Sequence, residues 1–371
     1  MKIVFMPMLP LTYRDYQMLG VEYFHAKGYD VSVVAPHNIL LPHYKIQVNI
    51  SYYNYQNMLE PHTMEELLNI LSSLSKNDYI FYYLGGKEAV NLLNNIRKVT
   101  EATFVTYISG SVPATSSPCG LLKRLKAKIR PIVKSIIDKK FETDIIAFGA
   151  PKDEIIYPCL IGKNTKKIYT HSRDYEVCKN VDGNIHQKKY CVFLDTDIIN
   201  ASDYVIFENK AEKKIDNYYK KLIKFFKFLE DTMYMDVVIS AHPKSRILQN
   251  RDNFNGFKVV HNNSAALVKN CSFVFSEGTT AVSFAVYFNK PMFFFTMQET
   301  SFFLETTCSY AKEFGKKIFY VDDLGNINKE LIEEELLNTD KYSYFKYNYL
   351  TYKDETDQVF EIIEKELLIG R

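Results

Sequence analysis

The stretch CSFVFSEGTTAVSFAVYFNKPMFFFT (271–296) decides the fold. Its first part, CSFVFSEG (271–278), is rich in strand-forming residues, whereas TTAVSFAVYFN (279–289) has the apolar spacing of a helix. PMFFFT (291–296) is then an almost uninterrupted apolar run, which is typical of a strand buried on both faces. A strand, a helix and a buried strand in so short a stretch indicate a βαβ unit with parallel strands.

The same alternation of strands and helices runs through the rest of the chain. Strands are predicted at 2–8, 30–36, 78–86, 103–111, 144–151 and 166–171, and again at 189–197, 236–243, 257–262 and 316–323. Helices are predicted at 13–27, 64–74, 87–97, 209–231, 264–270 and 355–368. A polar stretch at 179–189 separates the two series, so we expect an α/β protein with two Rossmann-like domains facing a cleft. The expected domains are 1–185 and 186–350, and the helix of the terminal segment 351–371 is expected to pack back on the first domain.

Length and composition agree with two globular domains. The chain has 371 residues, and domains average roughly 150. Hydrophobic residues make up 47% and charged residues 24%, which excludes disorder for the bulk of the chain. A net charge of +2 lacks the basic bias of a nucleic-acid binder. Because no apolar stretch reaches the roughly 18–20 residues of a membrane span and the six cysteines are scattered, we expect a reduced cytoplasmic protein without a metal or cofactor.

The first candidate site is the turn at 276–280, where the strand gives way to the helix. Its residues of interest are Ser276, Gly278, Thr279 and Thr280. The first N–H groups of a helix lack intrahelical partners, so together with hydroxyl groups they form an anion site, and a glycine lets the backbone approach a phosphate. The alternative is that a threonine only caps the helix. Glu277 fits a phosphate site only if it points outward or contacts a sugar hydroxyl.

The second candidate site is VVISAHPKSR (237–246). His242 lies at the carboxyl end of a predicted strand, which is where open α/β sheets bind ligands. Pro243 fixes the turn, and the side chains of Lys244 and Arg246 add positive charge. A histidine at this position can donate to a phosphate oxygen and help a leaving group depart. The alternative is a structural histidine beside two solvated cations.

The His-Pro pair and the serine/threonine turn together resemble the donor half of bacterial GT-B sialyltransferases. In that family the two motifs bind the phosphate of a CMP-activated sugar, and related pairs occur in Kdo transferases and in polyol-phosphate transferases of teichoic acid synthesis. The segments VFLDTD, AHPKSR and MPMLPLTYRDYQMLG also resemble uncharacterised proteins of bacterial surface-polysaccharide gene clusters, and this likeness covers mainly residues 190–297 and 1–25. The resemblance to the sialyltransferases implies a GT-B fold in which His242, Pro243 and the 276–280 turn bind the donor phosphate. Lys244 is added to this donor site because of its positive charge. The acidic D/E-D/E-G motif of that family has no counterpart in the first domain, so the resemblance assigns no base.

The loop after the first strand supplies a candidate base. In a GT-B protein this loop faces the interdomain cleft, and here it is LPLTYRDYQ (9–17). Asp15 is placed to deprotonate an acceptor hydroxyl, and Arg14 to hold an acceptor carboxylate or phosphate. The alternative is structural: Thr12 caps the helix while Asp15 lies favourably in its first turn. Two rival acids, which could bind ribose or the acceptor, end the first strand of the second domain: Asp195 and Asp197.

The segment LLKRLKAKIRPIVKSIIDKK (121–140) is basic and amphipathic, with Asp138 as its one acid. Such a segment is attracted to an anionic inner leaflet, where a lipid-linked acceptor would lie. A solvated helical face that is broken at Pro131 is the alternative.

These features predict a metal-independent glycosyltransferase of surface-polysaccharide biosynthesis, either capsule or lipopolysaccharide, at the inner face of the cytoplasmic membrane. It would move a CMP-activated nonulosonate, a sialic-acid-like sugar, or Kdo to a glycan or lipid-linked glycan acceptor. Asp15 and His242 are the expected catalytic residues, and Arg14 and Asp195 are expected to bind the acceptor. The alternatives are a CDP-polyol phosphotransferase or a UDP-sugar transferase on the same fold, or a non-catalytic scaffold of polysaccharide assembly.

Overall fold

The computed structural model describes residues 1–42, 52–108, 113, 141–181, 183, 188–196, 211–242 and 254–369. The chain divides into two compact units. Unit 1 contains residues 1–111, 119–173 and 351–371, and unit 2 contains residues 112–118 and 174–350. The main division, between 173 and 174, falls before the polar stretch that the sequence suggests as the boundary.

Unit 1 is built on a parallel sheet. Its described strands are β1 (Lys2–Pro7), β2 (Asp30–Val34), β3 (Met58–Leu59), β4 (Tyr79–Tyr83), β5 (Thr103–Ile108), β6 (Ile145–Phe148) and β7 (Lys166–Tyr169). Its described helices are α1 (Tyr13–Met18), α2 (Val21–Ala26), α3 (His37–Leu40), α4 (Met64–Leu71), α5 (Lys87–Ile96), α6 (Pro151–Ile156) and the terminal α14 (Val359–Leu368). The strand order is β3-β2-β1-β4-β5-β6-β7 with all neighbours parallel, so the order reverses between β1 and β4.

Both faces of this sheet are covered by apolar packing. Ile3 and Phe5 of β1 belong to one buried cluster, whereas Val4 and Met6 belong to another. Successive side chains of a strand point to opposite faces, so the alternation places one cluster on each side of the sheet. A sheet buried on both faces explains why its strands read as continuous apolar runs in the sequence.

Unit 2 repeats this architecture with a second parallel sheet. Its described strands are β8 (Tyr190–Leu194), β9 (Asp236–Ser240), β10 (Lys258–Val260), β11 (Val274–Ser276), β12 (Met292–Thr296) and β13 (Ile318–Tyr320). Its described α-helices are α7 (Arg173–Lys179), α8 (Ala211–Met233), α9 (Ser264–Asn270), α10 (Val282–Tyr287), α11 (Leu304–Phe314), α12 (Lys329–Leu337) and α13 (Tyr342–Phe345). The strand order β10-β9-β8-β11-β12-β13 reverses between β8 and β11.

The core beneath one face of this second sheet is aromatic. Helix α8 buries Leu222, Phe225, Phe226 and Leu229, which share one helical face. The ring of Phe226 lies 5.8 Å from that of Phe275 on β11. Aromatic pairs contribute about 0.5–1.5 kcal/mol beyond the area that they bury. This packing fixes α8 against the sheet and brings Tyr218, near the start of the helix, to the turn that follows β11.

The terminal helix α14 packs within unit 1. Its Phe360 ring lies 6.1 Å from that of Phe24, and Glu364 accepts hydrogen bonds from Tyr23 at 2.7 Å and from Tyr29 at 2.5 Å. A side chain at Gly20 would meet the Phe360 ring at 2.5 Å. Helix α14 therefore completes the core of unit 1, although the chain passes through all of unit 2 before reaching it.

The structure differs from the predicted elements in two respects. The single helix predicted over 13–27 is two helices, because Gly20 adopts a φ of +94°, which ends α1 and begins α2. Several elements are not predicted from the sequence: β3, α3, α6, α7, α11, α12 and α13. Most of them are short, and a few residues carry too little periodicity to identify a helix or strand.

Candidate functional site

The carboxyl ends of three neighbouring strands of unit 2 form the candidate site. β8 lies between β9 and β11, and Asp195 follows directly after its last residue. The Asp195 N–H donates to the carbonyl of Ser240 at the end of β9, at 3.1 Å. The register pairs Phe193 with Phe275, which sets Asp195 level with Glu277 on the other side. The edge lies where the strand order reverses, which is where open α/β sheets bind ligands.

The 276–280 turn is held by short-range hydrogen bonds. The hydroxyl of Ser276 accepts from the N–H of Gly278 at 3.0 Å, and that of Thr279 accepts from Ala281 at 3.4 Å. The N-cap residue of α10 is Ala281, whose side chain makes no capping hydrogen bond. The N-cap position is therefore not occupied by Thr279 or Thr280. Thr279 is half-buried and Thr280 is exposed. The turn thus presents hydroxyl groups at the edge of the sheet.

Gly278 is required by packing within unit 2. Its φ is +116°, which side-chain-bearing residues rarely adopt. A Cβ atom here would lie 3.2 Å from the backbone of Thr307 and 3.4 Å from the ring of Tyr310, both on α11. In the structure, the absence of a Cβ atom at Gly278 lets the turn pack closely against α11. From the sequence, we instead expect this glycine to let the backbone approach a phosphate.

Glu277 points into the protein and not toward the surface of the turn. It is 0% exposed, and its carboxylate accepts hydrogen bonds from the hydroxyl of Tyr218, at 2.9 Å, and from that of Thr300. Its carbonyl accepts from the hydroxyl of Thr307. The pKa of Glu277 is raised from 4.5 to about 7: burial is the main cause, the two hydroxyl bonds oppose the rise, and the nearby charge of Asp195 adds to it. The carboxylate of Glu277, which would repel a phosphate at the surface of the 276–280 turn, is thus directed into the protein.

Three residues that hold Glu277 have no signal in the sequence. Tyr218, Thr300 and Thr307 come from α8, from the 3-10 turn Gln298–Phe303 and from α11. They meet at Glu277 only through the tertiary fold. A tyrosine on the buried face of an amphipathic helix is indistinguishable by spacing from any other core residue.

His242 lies two residues beyond the end of β9 and is half-buried. The hydroxyl of Ser240 donates to Ser264 at 2.7 Å, which ties the end of β9 to the first residue of α9. Because β8 lies between β9 and β11 and neighbouring strands are about 4.8 Å apart, the ends of β9 and β11 are separated by roughly 10 Å. Asp195 lies between them. Four residues named from the sequence around this edge lie outside the described residues: Asp197, Pro243, Lys244 and Arg246.

Arg14 and Asp15 lie in unit 1, at the start of α1. Thr12 and Asp15 form a capping box: the Thr12 hydroxyl accepts from the Asp15 N–H at 3.1 Å, and the Asp15 carboxylate accepts from the Thr12 N–H at 3.1 Å. The same carboxylate also accepts from the Thr12 hydroxyl at 2.7 Å. Arg14 is exposed. The structural alternative for Asp15 is therefore present, and its role as a base stays a prediction.

The described part of the chain contains no group of three or more His, Cys, Asp or Glu residues placed to hold a metal ion. Likewise, no helix among the described residues is long and apolar enough to cross a membrane. The basic segment 121–140, for which membrane contact is predicted, lies outside the described residues.

Comparison with solved structures identifies the fold. The wall teichoic acid polymerase TagF matches with a TM-score of 0.54 and 13% identity over 100% of this chain and 90% of that chain. UDP-GlcNAc 2-epimerase from Methanocaldococcus jannaschii matches with a TM-score of 0.49 and 10% identity over 99% and 100%. No protein-family model and no curated protein sequence matches the chain. The predicted α/β class with two Rossmann-like, parallel-sheet units of the GT-B type is confirmed, and identities this low show the fold alone.

Proposed function

We propose that this protein is a glycosyltransferase that takes a sugar from a nucleotide-activated donor and binds the donor phosphate at the carboxyl edge of the unit 2 sheet. One observation carries the proposal. The ends of β8, β9 and β11 bring Asp195, His242 and the hydroxyl-bearing 276–280 turn to one edge of one sheet, at the point where the strand order reverses. This is the position at which doubly wound sheets bind nucleotides.

In the proposed reaction, an acceptor oxygen bonds to the anomeric carbon of the donor while the bond from that carbon to the donor phosphate breaks. The electron pair leaves with the nucleotide phosphate, to which His242 and the hydroxyls of Thr279 and Thr280 donate hydrogen bonds. The acceptor proton passes to a carboxylate, for which Asp15 is the candidate, and Arg14 holds an anionic group of the acceptor. Asp195 accepts a hydrogen bond from a hydroxyl of the ribose or of the acceptor.

For the donor we propose a CMP-activated nonulosonate or Kdo, and for the acceptor a surface glycan or a lipid-linked glycan. The support is the pairing of His242-Pro243 with the serine/threonine turn, which resembles the donor half of bacterial GT-B sialyltransferases. A protein acting on lipid-linked glycan would work at the inner face of the cytoplasmic membrane, and the basic segment 121–140 is the proposed point of contact.

A second candidate is a phosphotransferase that moves a polyol phosphate from a CDP-linked donor. It is favoured by the match to TagF, which is a wall teichoic acid polymerase. In this case the same edge would hold the departing CMP, and the acceptor would attack phosphorus instead of carbon.

The proposal is tested by incubating the purified chain with a panel of CMP-, CDP- and UDP-linked donors and measuring the released nucleotide. Release of CMP from a CMP-sugar supports the first candidate, and release of CMP from a CDP-polyol supports the second. Thermal shifts with CMP, CDP and UDP show which nucleotide stabilises the fold. Absence of release from every donor, with no thermal shift, contradicts the proposal.

His242→Gln links this activity to the site. Loss of a hydrogen-bond donor to the leaving group is expected to lower the rate by about 100-fold or more. The matched control is His261→Gln, because His261 is also half-buried and also lies just beyond the carboxyl end of a strand of the same sheet, the edge strand β10. A non-catalytic scaffold would tolerate both substitutions equally, whereas the proposed enzyme loses activity with the first alone.

A further inference from the structure

Glu277 lies within the 276–280 turn, which is one flank of the proposed donor site. Its neighbours in the chain, Ser276 and Gly278, belong to the turn, yet its own side chain is fully buried on the opposite side. The reaction proposed above does not use it. Burying an unpaired charge is costly, so a fully buried carboxyl group needs hydrogen-bond partners or must become neutral.

The hydrogen bonds around Glu277 suit both of its protonation states. When the carboxylate is charged, it accepts from the hydroxyls of Tyr218 and Thr300. The Thr300 hydroxyl also has a second acceptor, the carbonyl of Met297, at 3.2 Å. When Glu277 is protonated, Thr300 can therefore donate to Met297 and accept the carboxyl proton in turn. The Thr300 hydroxyl can therefore serve both protonation states by turning its proton from one acceptor to the other.

Among the described residues, few charged or titratable groups surround Glu277. Asp195 faces it from β8 and disfavours a second negative charge, and Tyr218 faces it from α8. Next to Thr300, Glu299 is ion-paired with Lys221 at 2.8 Å. From α11 the group in contact is the neutral hydroxyl of Thr307, which bonds the Glu277 carbonyl.

We propose that Glu277 is a positioning residue that holds the 276–280 turn from inside and takes up a proton when an anionic group binds on the outside of that turn. The inference rests on the proposed function, because the anion is the phosphate of the donor nucleotide. Bound phosphate adds negative charge close to two carboxyl groups, Asp195 and Glu277, and protonation of Glu277 relieves the repulsion.

The size of the effect follows from the charge separation. An anion about 8 Å from the carboxylate, at an effective dielectric constant of about 20, raises the pKa of Glu277 by about 1.5. Because burial already raises that pKa to about 7, the group titrates in the neutral range. Affinity for the nucleotide is then expected to fall about 10-fold between pH 7 and pH 9, with uptake of roughly two-thirds of a proton per bound nucleotide near pH 7.5.

The test is calorimetric titration of the full chain with CMP at pH 7 to 9, in two buffers of different ionisation enthalpy. The difference in apparent enthalpy between the buffers gives the protons taken up. In Glu277→Gln, which keeps the shape and the hydrogen bonding of the protonated acid, uptake and most of the pH dependence are expected to disappear while binding at pH 7 is retained. His242→Gln is measured in parallel to separate the two residues, and it is expected to retain the Glu277-dependent uptake.

The outcomes separate this inference from the proposed function. Unchanged proton uptake in Glu277→Gln overturns the inference even if the protein transfers sugar. Proton uptake that depends on Glu277, in a protein that releases nucleotide from no donor, supports the inference and contradicts the proposed function. Absence of binding by CMP, CDP, UDP and pyrophosphate overturns both. If Glu277→Gln fails to fold, Tyr218→Phe is the second variant; it removes a bond that favours the charged carboxylate and is expected to increase the pH at which affinity falls.

Discussion

Substituting Glu277 with glutamine should alter stability in a way that depends on pH, without any ligand. The carboxyl group has a pKa of about 7 in the folded chain and an ordinary value of 4.5 when unfolded. As the pH rises from 4.5 to 7, the unfolded chain releases the proton first, so the wild type loses stability over this window and changes no further above it. Each unit of difference between the folded and unfolded pKa corresponds to about 1.36 kcal/mol. The free energy of unfolding is therefore expected to fall by about 2 to 3 kcal/mol between pH 5 and pH 8.

Glutamine cannot ionise, so Glu277→Gln should not show this loss. The assay is urea unfolding of both proteins at pH 5 and pH 8, with the difference in unfolding free energy taken at each pH. The variant is expected to gain about 2 to 3 kcal/mol relative to the wild type between the two conditions. The control is Glu305→Gln, which removes an exposed carboxylate from the first turn of α11. Its unfolding free energy should differ from that of the wild type by the same amount at pH 5 and at pH 8. An equal difference for Glu277→Gln at pH 5 and pH 8 would refute the reasoning.

Three further substitutions test the packing and the roles described above. Gly278→Ala should destabilise unit 2 by about 2 kcal/mol or more in equilibrium unfolding, because both the φ of Gly278 and its contact with α11 exclude a Cβ atom. The control Gly315→Ala, where φ is +65° and no atom lies within 4 Å, should cost only about 1 kcal/mol. Equal costs for the two substitutions would count against the packing explanation. Asp15→Asn should change the unfolding free energy by no more than about 1 kcal/mol while lowering the rate of sugar transfer about 100-fold. Thr12→Ala should cost about 1 kcal/mol of stability and leave the transfer rate unchanged. Full activity of Asp15→Asn would show that Asp15 is not the base. Phe360→Ala should destabilise unit 1 by about 3 to 5 kcal/mol, measured by urea unfolding, and a cost below about 1 kcal/mol would show that α14 is not part of that core.

The strands and the fold class could be predicted from the sequence because parallel sheets impose a simple pattern. Buried strands such as β12 are continuous apolar runs, and α9 is predicted at 264–270 and observed at Ser264–Asn270. The split between α1 and α2 is not predicted because Gly20, with a φ of +94°, lies inside a regular apolar pattern, and the ring that would meet a Cβ atom there belongs to Phe360, at the far end of the chain. Such a contact leaves no local trace in the sequence.

The succession of strands and helices in the sequence places Asp195, His242 and the 276–280 turn at carboxyl ends of strands, and the structure has them at one edge of the unit 2 sheet. Their roles in binding and catalysis stay predictions. The direction of Glu277 was not predictable, because it is set by hydroxyls that come from α8 and from the turn after β12. For Asp15, the capping box that the sequence offered as the alternative is present in the structure.

The claim that the carboxyl edge of unit 2 binds the nucleotide is tested most directly by a crystal structure of the chain with CMP. The account predicts one phosphate group that accepts hydrogen bonds both from the imidazole of His242 and from the hydroxyls of Thr279 or Thr280, with Glu277 still buried behind the turn. A nucleotide bound elsewhere, or a His242 imidazole and threonine hydroxyls too far apart to contact one phosphate, would contradict it.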